Sequence, residues 1–162
     1  MTVDPAGHKP GAPSTRTEEP AAVPVLPFVT RAGDEPRTTG QSEGATRISG
    51  VSIQHTPATR LWFGKVVNLA GYRSVPHHHG KAETGGYVLS GRARLYFGER
   101  FEDYLDMSEG DWVFVPPHLP HIECNLDRNR PLTWMTTRTP ENIVVNLAQV
   151  HDGSLPGWLG RP

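Results

Sequence analysis

The chain has 162 residues, a formal charge of −1 and one cysteine, Cys124. That is the length of a single domain around one core. The near-zero charge leaves no basic footprint for nucleic acid, the lone thiol excludes an internal disulfide, and no apolar run approaches the roughly 20 residues of a membrane span. The first residues also lack the apolar core of a secretory leader. A soluble protein of the reducing cytoplasm, with no nucleic-acid or membrane partner, is the expectation.

Residues 1–44 are rich in Pro, Gly, Thr, Ser and charge, a composition that buries too little apolar surface to offset the entropy of ordering it. They read as a largely disordered N-terminal arm. An apolar island interrupts it, Ala22-Val23-Pro24-Val25-Leu26-Pro27-Phe28-Val29. Its prolines exclude a central strand but permit an extended edge segment. Beyond residue 45 the texture changes to short runs of Val, Ile, Tyr, Phe, Trp and Thr, punctuated by Gly, Pro, Asn and Asp about every ten residues. That spacing predicts an all-β barrel or sandwich over residues 45–150, with 151–162 as a tail. The candidate strands are 47–54, 61–69, 86–90, 93–97, 111–115, 121–125, 132–137 and 143–147.

Five of the eight histidines fall in two short windows. The first runs from Gly71 through His77-His78-His79 to Glu83 and Gly91. In an extended chain, residues i and i+2 share a face, so His77 and His79 can present two imidazoles to one ion while His78 points away. Glu83, after a turn, could add a carboxylate. The second window runs from Gly110 through Pro116-Pro117-His118-Leu119-Pro120 to His121 and Asn125, and offers a third imidazole from a separate strand. Such a donor set suits a divalent ion, Fe, Mn, Ni, Cu or Zn. Glu123 shares a face with His121 and is a second candidate for moving a proton.

The spacings Gly-x5-His-x-His-x3-Glu and Gly-x5-Pro-x4-His-x3-Asn, in this order, resemble the two motifs of the cupin superfamily. The resemblance implies a jelly-roll barrel, also called a double-stranded β-helix, with His77, His79, Glu83 and His121 as metal ligands. Two departures accompany it. His118 stands where the second motif usually carries glycine, and is expected in the turn rather than on the ion. Seven residues instead of six separate Glu83 from Gly91, which by count puts Thr84 in the carboxylate position. A bulge at Gly85-Gly86 would return Glu83 to the metal; without it, water would complete a three-histidine site.

The resulting expectation is a metal-dependent enzyme acting on a small organic molecule, dioxygenase-like, with Glu83 and Glu123 as catalytic groups. The alternatives are a non-redox isomerase, cyclase or lyase, and a binding module without turnover. Arg73 and Arg138 could clamp an anion but are expected at the surface. The apolar island and the open sheet edges suggest a homodimer.

Overall fold

The computed structural model describes residues 25–36, 42–147 and 150. Most of the arm and the whole tail lie outside these residues, as do Ala22, Val23 and Pro24 of the apolar island, so the arm's predicted disorder lies outside them too. Among the described residues there are ten strands and no helix, so the all-β expectation holds.

Three sheets carry the chain. The first is five-stranded, in the order β1 (Ala45–Val51), β2 (Trp62–Asn68), β9 (Leu132–Thr139), β4 (Glu83–Ser90) and β7 (Trp112–Val115). The second is three-stranded, with β5 (Arg92–Phe97) between β6 (Asp103–Ser108) and β8 (Ile122–Asn125). A short pair joins β3 (His77–His78) to β10 (Val145–Asn146). All the pairings are antiparallel.

Strict alternation of side chains sets the inside. In β9, Leu132, Trp134, Thr136 and Arg138 face inward; in β2, Trp62, Val66 and Asn68 do. The five-stranded sheet's Trp62, Val66, Val88 and Trp134 pack with the three-stranded sheet's Ala93, Leu95 and Met107 in one core. Each fully buried large apolar side chain contributes about 1.5–3 kcal/mol. The close approach of β1 to β2 requires a glycine: a Cβ on Gly64 would come within 2.4 Å of the Ile48 carbonyl oxygen.

The element β6 was not anticipated from the sequence. Only Met107 of its six residues is buried, so it shows no apolar run. The segment predicted at 143–147 shrinks to two residues, and the one predicted at 86–90 begins at Glu83. The described part of the arm follows β1, with Thr30 Oγ1 donating to Gly50 O at 2.6 Å. Val25, Leu26, Phe28 and Val29 remain exposed, at 57–74%. No helix of the described residues is long and apolar enough to cross a membrane.

Candidate metal centre

His77 starts β3, where its backbone exchanges both hydrogen bonds with His121 (N to O, 3.1 and 2.9 Å). That bridge ties the two histidine windows together across the sheets. His79 follows β3 in the turn to β4. The three rings lie with centroids 4.4–5.1 Å apart, all at 2% exposure or less.

Each ring is tethered through Nδ1 to a backbone carbonyl: His77 to Val75 O at 2.9 Å, His79 to Ile143 O at 2.7 Å, and His121 to Leu119 O at 2.8 Å. A carbonyl only accepts, so Nδ1 carries the proton and donates in all three, and Nε2 is left with its lone pair. Nε2 of His77 and of His121 is buried without any hydrogen-bond partner. Such orphaned polar atoms cost free energy unless something else satisfies them. Burial, the largest influence, pushes all three imidazoles below their usual range, His79 to about 2 and His121 to about 4. They are neutral at physiological pH, the form that ligates.

The carboxylate of this cluster is Glu123. Its Oε1 lies 4.0 Å from His77 Nε2 and 3.9 Å from His121 Nε2. One donor atom from each of His77, His79, His121 and Glu123 falls within 4.8 Å of the other three. Burial raises the Glu123 carboxyl, but the positive charge that His77, His121 and His79 take up in acid, together with Arg138, outweighs it and brings it to about 2, so it is ionised. Residues i and i+2 of an extended run reach the same face, which is how His121, just before β8, and Glu123, within it, meet. These four residues could hold a divalent metal.

Glu83 is corrected by the structure. Its side chain is exposed, beside a surface cleft that Arg60 and Lys81 also line, and it lies outside the cluster. Thr84 faces inward in its place, 4% exposed, with Oγ1 unpartnered. The extra residue before Gly91 is absorbed, but not at Gly85-Gly86. Against β9 the register runs without a break from Glu83 to Val88 and shifts only between Val88 and Ser90. A bulge that far along the strand leaves the parity of Glu83 unaltered.

Arg138 is also corrected. Expected at the surface, it is 2% exposed. Its Nη2 lies 3.2 Å from His79 Nε2, and its Nη1 donates to Asn142 Oδ1. Burial, the largest influence, lowers it to about 10, leaving it cationic. Its parity with Leu132 and Trp134 in β9 was the available signal. His118 is exposed in the turn at φ 59°, with its ring 5.8 Å from that of His78 and apart from the cluster. Cys124 is buried between Glu123 and Asn125, and burial raises its thiol to about 12. It is a packing group.

Beside the cluster is a small cavity of about 20 Å³, room for one or two waters. Its polar lining is Thr84, Glu123, Thr136 and Arg138; the remainder includes Leu95, Met107 and Trp134. Antiparallel sheets closed over three imidazoles, a carboxylate and a mostly apolar cavity define a metal-ligating β-barrel.

The comparisons with known proteins narrow that class. The cupin domain model matches residues 66–137. The Bacillus subtilis oxalate decarboxylase shares the fold at 21% identity and TM-score 0.58, over 67% of this chain and 29% of that one. The Lactobacillus farciminis oxalate decarboxylase, solved as a formate complex, shares it at 19% identity and TM-score 0.58, over 68% and 33%. An uncharacterised Klebsiella pneumoniae protein with a double-stranded β-helix domain does so at 15% identity and TM-score 0.53, over 68% and 91%. The chain thus spans about a third or less of the two decarboxylases. No curated protein sequence matches it. Residues 66–137 thus match the cupin domain, and the chain shares the cupin fold of these proteins.

Proposed function

We propose that this cupin is a metal-dependent enzyme acting on a small organic molecule, with His77, His79, His121 and Glu123 as the ligands of one divalent ion. The observation that carries it is the set of three buried imidazoles, each fixed in one tautomer with Nε2 turned toward Glu123. Imidazole and carboxylate together suit Fe, Mn, Ni, Cu or Zn; the Bacillus subtilis enzyme has Mn(II) centres. Bound there, a redox-active ion supplies oxygen chemistry, and a redox-silent ion supplies polarisation of a carbonyl.

The cavity's own residues favour the dioxygenase-like reading over an isomerase or cyclase. Proton shuttling needs a side chain that accepts a proton near neutral pH. With Glu123 committed to the ion, the polar groups left on the cavity wall are Thr84, Thr136 and Arg138, none of which is such a base. The apolar wall around them excludes water from the reacting centre.

The test is elemental analysis of tag-free protein beside His79→Ala and His121→Ala. About one equivalent of metal in the wild type and none in either variant is the expected result. Wild-type protein that stays metal-free after anaerobic reconstitution with each of the five ions would sink the reading. Replacing His79 in an enzyme should abolish turnover while changing ligand affinity modestly; a cupin that only binds its ligand has no turnover to lose.

A homodimer is also proposed: Val25, Leu26, Phe28 and Val29 beside β1, and Trp112 and Phe114 on the edge strand β7, are exposed apolar side chains that a second copy could cover. Light scattering at micromolar concentration should give twice the monomer mass; a clean monomer rules the dimer out.

A further inference from the structure

The outer face of the five-stranded sheet is more apolar than a water-facing sheet ordinarily is. Alternate side chains of each strand point away from the core, and the register lines them up in rows. One row crosses all five strands: Trp112 of β7 pairs with Tyr87 of β4, Tyr87 with Met135 of β9, Met135 with Lys65 of β2, and Lys65 with Ile48 of β1. The next row runs Phe114, Gly85, Thr137 and Phe63. A sheet with one face in water alternates apolar inside with polar outside. Here Trp112 is 79% and Phe114 62% exposed, and the Trp112 ring leans on that of Tyr87 at 4.5 Å.

Two bare patches lie at opposite edges of this sheet. The arm runs along β1, where Ser49 N donates to Pro36 O at 3.4 Å, and its Val25, Leu26, Phe28 and Val29 are exposed. Trp112 and Phe114 lie on β7, the other edge. Inter-strand steps of about 4.8 Å put roughly 19 Å between β1 and β7. Neither patch covers the other within one copy.

A second copy closes that gap. Two sheets stacked face to face about 10 Å apart form an isologous pair when a two-fold axis lies between them. An axis running along β9, the middle strand, sets β1 of each copy over β7 of the other. Each arm then meets the partner's Trp112 and Phe114. The same axis sets Lys65 over β4 of the other copy, in the row where the partner's Tyr87 offers a ring face to the ammonium. An axis running across the strands instead sets β2 over β2 and gathers both lysines on one pair of facing strands, where like charges repel. It also leaves arm facing arm and β7 facing β7. Charge therefore selects the first arrangement.

We infer that the five-stranded sheet packs by its outer face on the same face of a second copy, with the two-fold axis along β9 and each arm covering the partner's Trp112 and Phe114. The inference rests on the homodimer reading above and adds which faces meet and in which sense.

Light scattering and cysteine cross-linking of the full, tag-free chain test it. Wild type should show twice the monomer mass at micromolar concentration. Trp112→Glu should fall to the monomer mass with its circular dichroism unchanged, and if that variant misfolds, Phe114→Glu carries the same test. Leu26→Cys and Phe114→Cys chains, co-expressed and treated with a short bis-maleimide, should link to each other, while neither variant alone should link to itself. The native Cys124 is buried, and treated wild type gives the background. Self-linking of either variant, or no link in a mixed protein that is still dimeric, overturns the arrangement. A dimer that survives both glutamate substitutions overturns this face and leaves the homodimer standing. A wild-type monomer overturns both.

Discussion

The two histidine windows deliver their ligands by different means. Glu123 lies in β8, which pairs with β5 through four consecutive register positions, and His121 immediately precedes it in the same extended run, so ordinary alternation aims both inward. His77 and His79 come from a segment with only a two-residue strand of its own, and His79 lies in a turn. What fixes His79 is a carbonyl from far along the chain, Ile143 O, 64 residues away. One half of the site is built by a ladder and the other by a tether. A ladder position tolerates changes in its neighbours, because the sheet holds the backbone. A tethered position depends on the segment at the other end of its hydrogen bond.

Four substitutions, one of them a control, test this division and the ligand set, in falling order of effect. Glu123→Gln on the ladder side keeps shape and removes charge. Zinc affinity measured by competition with a chelator should fall by at least about 10–100-fold, the range for losing a mere outer-shell partner of a ligand, with the fold retained. Unchanged affinity would remove Glu123 from the ligand set. On the tether side, Gly80 has φ 55°, and a Cβ there would meet Ile143 Cγ2 at 3.3 Å. Gly80→Ala should cost about 1–2 kcal/mol for the left-handed backbone and weaken zinc several-fold by displacing the carbonyl that holds His79. Gly71 is the control: φ is 62° and a Cβ there meets nothing within 4 Å. Gly71→Ala should lower the melting temperature similarly and leave zinc affinity alone. If both variants keep full affinity, the tether is not what positions His79. Last, Glu83→Gln should change neither zinc stoichiometry nor affinity, since its side chain faces solvent; a loss of metal would return Glu83 to the site.

The sequence made the strands legible where alternation meets turn residues, as in 61–69 and 132–137. It hid β6, whose Asp103, Tyr104 and Asp106 are exposed and break the apolar pattern. The imidazoles were legible because i, i+2 spacing is a local property. The carboxylate was not, because the location of a bulge is decided by pairing with a strand some fifty residues further along, and one residue of slip exchanges Glu83 for Thr84. Arg138 was misread for another reason: arginine is rarely buried, and that tendency was weighed above its parity with Trp134, which had the correct answer.

The three Nδ1 tethers have a consequence for how the protein would take up an ion. Rings already neutral and already in one tautomer have no proton to surrender when an ion arrives and no rotation left to lose. Uptake at the imidazoles should therefore release no acid, and occupancy should be insensitive to pH between 6 and 8. Selection among competing ions would then fall to the fixed spacing of the ring nitrogens and to whatever ion the surroundings make available.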